Sequence, residues 1–161
     1  MSDNRSLKIN IPGRAPLKIR HLILDYNGTI ACDGQLIEQL IPQLNTLNQQ
    51  LRIHILTADT HGSVAQQVGT FPHTLEIIGA TDQAQTKQNY LHLLGAQSCI
   101  AMGNGANDTL MLRDAALGIA IMHNEGAASS TILTADIVIG SCHAALDLLL
   151  KPQRLIATLR C

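Results

Sequence analysis

The chain has 161 residues, 46% of them hydrophobic and 14% charged, with a formal net charge of −1. That length suits one domain with a single core over residues 1–161. A near-neutral chain without a strongly basic run has no electrostatic support for nucleic-acid or membrane-surface binding, and no apolar run is long enough to span a bilayer. Aromatic residues make up only 2% of the chain, so Leu, Ile, Val and Ala must fill the core. Cys32, Cys99, Cys142 and Cys161 show no paired spacing, and the first residues carry no apolar signal region. Both features fit a reduced, cytoplasmic protein.

Leu7, Ile9 and Ile11 alternate with polar residues, and so do Leu17 and Ile19 after Pro12-Gly13-Arg14. This predicts a β-hairpin within residues 1–20, with one apolar face that the body or another subunit must cover. Next comes Leu22-Ile23-Leu24-Asp25, an apolar run ending in a carboxylate, with Gly28-Thr29 close behind. A buried strand delivering Asp25 to the rim of a sheet has this pattern, and that rim is where open α/β sheets bind ligands. Asp33-Gly34 predicts a short flap hairpin beside the site. Leu36, Leu40, Ile41, Leu44 and Leu47 recur at helical spacing.

Residues 52–57 form a second predicted strand, ending in the hydroxyl of Thr57. Asp59 or Thr60 then caps a helix carrying Val64 and Val68. A third strand covers 74–79, and Thr81 or Asp82 caps a helix running to Leu94. The inward stripe of that helix holds Lys87, which is costly to bury unless it meets an anion or reaches the surface. A fourth strand, 98–102, ends in Gly103-Asn104-Gly105-Ala106-Asn107-Asp108. Strands over 117–122 and 135–139, with helices over 125–133 and 144–159, complete an alternating pattern. Such a pattern predicts an α/β fold with a mainly parallel sheet covered on both faces.

The ends of these elements offer a carboxylate nucleophile, a hydroxyl, an ammonium and a glycine-rich loop, a set suited to phosphoryl transfer with Mg²⁺. Taken singly, Asp25, Thr57, Asn107 and Asp108 could each be a cap or a strand end. A dinucleotide site at Gly103-x-Gly105 is disfavoured because Asp108 stands where the third glycine belongs. His54 and His61 have no metal-ligand spacing and read as structural.

In order, Asp25-Tyr26-Asn27-Gly28-Thr29, Leu56-Thr57, Lys87 and the 103–108 loop resemble the haloacid dehalogenase (HAD) superfamily of phosphohydrolases. The likeness covers roughly residues 20–150. The last motif, with Met111-Leu112 and the stretch from Ala115 to Ala120, looks most like the phosphorylation domain of P-type ATPases and their small soluble relatives. The resemblance implies a Rossmann-like three-layer sandwich. Its parts would be the hairpin (1–20), a catalytic core (21–150) and a helical C-terminal extension (151–161). It implies that Asp25 is phosphorylated and that the Asn27 carbonyl, Asp25, Asn104 and Asp108 hold Mg²⁺. Thr57, Ala58, Lys87 and Gly28 would bind the phosphoryl group, with Thr29, Gly103, Gly105 and Asn107 in support.

Two positions depart from that pattern. Asn27 stands where HAD phosphatases have an acid/base aspartate, and an amide cannot exchange a proton as a carboxyl group does. Asn104 stands where a metal-binding aspartate is usual. Slow turnover and weak Mg²⁺ binding are expected, and a catalytically impaired binding or regulatory module is the alternative. Both asparagines precede glycine, so deamidation could restore carboxylates. The gaps from Asp25 to Thr57 and from Thr57 to Lys87 leave no room for a cap domain. The expected partner is therefore a phosphorylated macromolecule, or a small molecule enclosed by a neighbouring subunit. The hairpin and the leucine-rich 144–159 segment are the candidate surfaces for a homo-oligomer.

Overall fold

The structure, a computed structural model, describes residues 4–59 and 62–161. Thr60 and His61, a predicted cap and a predicted structural histidine, lie outside the described residues. The N-terminal hairpin pairs β1 (Leu7–Ile9) with β2 (Leu17–Ile19), Leu7 opposite Ile19. Leu7, Ile9, Ile11 and Ile19 are all buried in the main core, so this ribbon covers its own body. The backbone N–H of Cys161 donates to the carbonyl of Pro12, tying the C-terminus to the hairpin turn.

The central sheet uses β3 (His21–Asp25), β6 (Arg52–Thr57), β7 (Thr74–Ile77), β8 (Cys99–Gly103), β9 (Leu117–Ile121) and β10 (Ile137–Ile139). Between β3 and β6 lie the flap, β4 (Ala31–Cys32) with β5 (Gln35–Leu36), and helix α1 (Ile41–Leu47). The strand order is β10-β9-β8-β3-β6-β7, and every pair is parallel. The chain enters at the central strand, winds outward to one side, then returns and winds to the other. A switch point therefore falls at the carboxyl end of β3, between β6 and β8.

All five residues of β3 are buried, because both faces of the sheet are covered. Leu22 and Leu24 face a core shared with α1, α6 (Cys142–Leu150), α7 (Pro152–Leu159) and the hairpin. Ile23 faces a second core under α3 (Gln83–Leu94) and α4 (Thr109–Asp114). This is the three-layer α/β architecture expected, and the connections hold only small elements. The flap turn places Asp33 at φ 51° and Gly34 at φ 76°, as a type I′ hairpin requires.

Several predicted bounds differ. The helix expected over 144–159 is two helices, because Pro152 lacks an N–H and fits only the first turn of the second. Leu146, Leu149, Leu155 and Leu159 are buried. The apolar faces of both candidate oligomer surfaces are thus spent on the chain's own core. The helix expected over 125–133 is confined to α5 (Ser129–Thr134), and the third strand stops at Ile77. Asp82 precedes α3 at φ 52° but makes no side-chain cap. The N-cap of α2 (Val64–Gln67) is Ser63, not Asp59 as expected, and it makes no side-chain cap; the Asp59 carboxylate instead reaches from the strand end to accept the N–H of Val64 at 3.3 Å.

Candidate active site

Parallel pairing brings the carboxyl ends of β3, β6 and β8 to one rim, so Asp25, Thr57 and Gly103 finish side by side. Lys87 reaches them from the second turn of α3, and Asp108 from the 3-10 turn ahead of α4. The Lys87 ammonium donates to Asp25 Oδ1 at 2.7 Å and to Asp108 Oδ1 at 2.6 Å. Lys87 is only 1% exposed despite its charge. Its place on the inward stripe is explained by these two anions, not by an escape to solvent.

Asp108 is fully buried, and its other oxygen accepts the N–H groups of Asn104 (3.0 Å) and Gly105 (2.9 Å). One carboxylate thus fixes both the lysine and the glycine-rich loop. Gly103 is required there, since a Cβ at that position would collide with the Asp108 carboxylate. Asp25 Oδ2 accepts the Thr29 hydroxyl at 3.2 Å. Thr29 sits in a tight turn whose N–H groups, with those of Ile30 and Ala31, converge on the Tyr26 carbonyl. Thr57 is buried, and its hydroxyl oxygen accepts the Asp59 N–H at 3.2 Å, leaving the hydroxyl proton to donate elsewhere. Ala58 follows it, half-buried at the strand end.

The electrostatics are unbalanced. Two carboxylates share one ammonium, a sum of −1 when all are charged. Burial, and next the Asp108 charge, push the Asp25 carboxyl up to about 7 against the opposing pull of Lys87 and Thr29. Burial works against the Lys87 ammonium, but Asp25 and Asp108 outweigh it and hold it up at about 12. An ammonium has three protons to donate, and two are used on these carboxylates. A third remains for an incoming oxygen.

The two asparagines differ in setting. Asn27 is exposed at the rim. Asn104 packs against Gly28, where a Cβ would strike its amide, and its Nδ2 donates to the Gly126 carbonyl at 3.1 Å. Its own carbonyl accepts the Ala128 N–H at 2.8 Å. Asn104 therefore holds the 122–128 loop, and Glu125 of that loop accepts the N–H of Asp33 at the flap turn. The Gly28 N–H donates to the Ala31 carbonyl and the Gly105 N–H to Asp108. These are the two nitrogens that deamidation would need free, so the fold works against it. Asn107 donates to Gln83 Oε1 at 2.7 Å and ties the loop to α3.

Three supporting residues had no signal in the sequence. Gln67 accepts the Tyr26 hydroxyl and the Leu36 N–H and donates to the Gly34 carbonyl, fixing the flap. Thr131 donates to the Gly105 carbonyl at 2.6 Å, and Glu125 holds the flap turn. They are ordinary polar residues on short helices and loops, and only tertiary contact gives them a role.

The donor set fits a hard divalent cation in kind. Asp25, the Asn27 carbonyl and Asn104 Oδ1 are all oxygen, and Mg²⁺ prefers a few protein oxygens completed by water and phosphate. Asp108 fits less well as a direct ligand than the motif implies, because three N–H donors already occupy its oxygens.

The same fold occurs in several solved structures. The TM-score is 0.66, at 20% identity, to 3-deoxy-D-manno-octulosonate 8-phosphate phosphatase of Moraxella catarrhalis, solved with magnesium, phosphate and KDO; 88% of this chain and 94% of that one are covered. It is 0.69, at 13% identity, to the cobalt-bound deoxy-D-mannose-octulosonate 8-phosphate phosphatase (YrbI) of Haemophilus influenzae, over 84% and 90%. It is 0.64, at 19% identity, to a Legionella pneumophila protein described as a HAD superfamily (subfamily III A) hydrolase, over 88% and 87%. The chain is thus a HAD-fold α/β protein. It belongs to one family with the uncharacterized protein MJ0072 of Methanocaldococcus jannaschii, to which it is 46% identical over 39 residues, 24% of this chain and 89% of MJ0072. It is also 56% identical over 61 residues to MJ0073 of that organism, a match spanning 38% of this chain and 66% of MJ0073. No family model matches the chain. None of these structures shows the expected likeness of the 103–108 motif to P-type ATPases.

Proposed function

We propose that this protein is a Mg²⁺-dependent phosphohydrolase that works through an aspartyl phosphate on Asp25. The observation that carries this reading is the Lys87 ammonium, buried and shared between Asp25 at the end of the central strand and Asp108 beside it. A buried charged trio costs folding energy, and its place at the switch point is where a ligand would use it.

In this reading one Asp25 oxygen attacks phosphorus. The third Lys87 proton and the Thr57 hydroxyl receive phosphoryl oxygens, with backbone N–H groups near Ala58 and Gly28 assisting. Asp108 keeps Lys87 and the 103–108 loop in position and touches no substrate. Thr29 orients the Asp25 carboxylate. Bound Mg²⁺, held by Asp25, the Asn27 carbonyl and Asn104 Oδ1, would offset the negative charge that a phosphoryl group adds to a site already at −1. Asn27 supplies no carboxyl group to activate water, so hydrolysis of the phospho-enzyme is slow. Among the described residues no cap domain covers the rim, which suits a phosphorylated macromolecule or a small molecule. The phosphosugar of the octulosonate phosphatases is one candidate of the second kind.

The test is phosphate release from a panel including p-nitrophenyl phosphate and acetyl phosphate, with and without Mg²⁺. A mass search for phosphorylated Asp25 and an Asp25→Ala control run beside it. Mg²⁺-dependent release or a trapped adduct, absent in the control, is expected. The second reading is a binding or regulatory module that keeps the fold. It is favoured by Asn27 and by the commitment of the Asn104 amide to Gly126. Phosphate binding without adduct or turnover would establish it.

A further inference from the structure

We infer that Thr131 of α5, outside every motif of the rim, is a positioning residue for the 103–108 loop, and that its hydroxyl sets the affinity of the site for Mg²⁺. This rests on the Mg²⁺ reading above and concerns how Asn104 and Asp108 are held, not which atoms react.

The 103–108 loop carries two glycines, so its backbone has more freedom to lose than an ordinary turn. Its inner side is fixed by Asp108, which accepts the N–H groups of Asn104 and Gly105. Its outer side is fixed by the head of α5. The Asn104 carbonyl accepts the Ala128 N–H at 2.8 Å, and the next carbonyl, that of Gly105, accepts the Thr131 hydroxyl at 2.6 Å. The N–H and C=O groups of two consecutive residues are thus all held, the donors from one side and the acceptors from the other. Of these bonds only the last depends on a side chain outside the motif.

That side chain is itself held. A helical threonine often turns its hydroxyl back to a carbonyl of its own helix. Thr131 is fully buried and gives its hydroxyl to another segment instead. The hydroxyl oxygen of Thr109, the first residue of α4, lies 3.0 Å from that of Thr131 and 3.2 Å from that of Ser130. A carbonyl can only accept, so the Thr131 proton is committed to Gly105, and the Thr131 oxygen accepts from Thr109. The Thr109 oxygen in turn accepts from Ser130. The chain therefore runs one way, from exposed Ser130 through Thr109 and Thr131 to the loop, and each bond polarises the next. The segment ahead of α5 also steers the Asn104 side chain, whose Nδ2 donates to the Gly126 carbonyl. With its backbone and its amide nitrogen fixed, Asn104 offers Oδ1 to a cation in one direction. Removing the Thr131 hydroxyl frees the Gly105 carbonyl, and the slack passes to Asn104 on one side and to the Asp108 contacts on the other.

The experiment measures Mg²⁺ binding to substrate-free protein, by titration calorimetry and by the rise in melting temperature with added Mg²⁺. Thr131→Val keeps the side-chain shape without the hydroxyl and should bind Mg²⁺ about 10–100-fold more weakly, as loss of an orienting partner behind a metal ligand does. Thr131→Ser keeps the hydroxyl and should bind as the wild type does. Thr109→Val removes the donor to Thr131 and should weaken binding in the same direction by less. Tyr90→Phe removes a buried hydrogen bond at the opposite end of the strands and should leave the affinity unchanged. Wild-type affinity in Thr131→Val, or an equal loss in Tyr90→Phe, would mean that the hydroxyl only satisfies a buried carbonyl. Either result overturns the inference and leaves the phosphohydrolase reading intact. Where Thr131→Val does not fold, wild-type affinity in Thr109→Val overturns it in the same way. A wild type that binds no Mg²⁺ overturns both the inference and the Mg²⁺ dependence proposed above.

Discussion

Two buried polar networks lie in the same layer, between the sheet and α3, and they differ in kind. At the carboxyl rim, Lys87 of α3 joins Asp25 of β3 and Asp108 in a charged trio. At the opposite end of the same strands, His21 Nδ1 lies 3.0 Å from His54 Nε2, and His54 Nδ1 lies 2.9 Å from the hydroxyl of Tyr90, one turn further along α3. His21 and Asp25 share a strand and, being four residues apart, a face. Burial, with the charges of His21 and Arg52 nearby, pulls His54 down to about 4, so the imidazole at the centre of this second network is neutral. Both ring nitrogens of His54 have a partner, and a neutral imidazole is the cheaper form to bury. The rim does the opposite: it keeps charges buried, with one cation too few. Burial alone therefore does not mark function. The electrostatic imbalance of the rim is what makes it the candidate site.

The sharpest break of this comparison is Lys87→Met. It leaves Asp25 and Asp108 facing each other without a cation, and the expected cost is about 3–5 kcal/mol of stability in urea or thermal unfolding. Adduct formation on Asp25 should fall by about 10²–10³-fold where the variant still folds. A Lys87→Met protein as stable as the wild type would mean the trio is neutral in practice, as His54 is.

The networks should also respond to pH with opposite signs in metal-free protein. Asp25, raised to about 7 in the fold, adds stability as pH falls from about 7 to 4, because the folded state then holds the extra proton. His54, lowered to about 4, loses stability as pH falls from about 6.5 to 4, because the unfolded chain then holds it. Asp25→Asn should therefore make acid destabilisation steeper than in the wild type, and His54→Phe should make it shallower or reverse it. Denaturant midpoints measured every half unit give both slopes. Parallel profiles for the two variants would contradict the opposite assignments.

Asn104→Asp replaces the donor to the Gly126 carbonyl with an acceptor and adds a negative charge to the rim. A loss of about 1–3 kcal/mol is expected without metal. Tighter Mg²⁺ binding, read by the rise in melting temperature with added Mg²⁺, is expected beside it. The smallest effect belongs to Tyr90→Phe. It removes one neutral hydrogen bond from His54 and should cost about 1 kcal/mol, with no change in adduct formation on Asp25.

Much of the rim was legible in the chain because its residues end predictable elements. An apolar run that stops at Asp25 must deliver it to a strand end, and Thr57 follows by the same logic. Lys87 was conspicuous because a cation on an inward stripe needs an anion. The flap turn was legible because Asp-Gly suits positive φ. The apolar faces of the hairpin and the 144–159 segment could not be placed by pattern, since a buried face looks the same whether its own core or a partner covers it. Pro152 did carry the signal that breaks the last helix in two, because its missing N–H can be spared only in a first turn.

The sequence by itself determined the order of elements, the parallel sheet and the set of groups at its rim, because these follow from periodicity and from where each polar residue interrupts it. Only the tertiary structure decided how those groups are spent. It gave Asp108 to Lys87 and two backbone N–H groups, turned the Asn104 amide toward Gly126, bonded Thr29 to Asp25, and joined His21, His54 and Tyr90 into a hydrogen-bonded chain. Hydrogen-bond partners are chosen by distance and direction in the folded state, and residues as far apart as Asp25 and Lys87 acquire those only when the strands and helices pack.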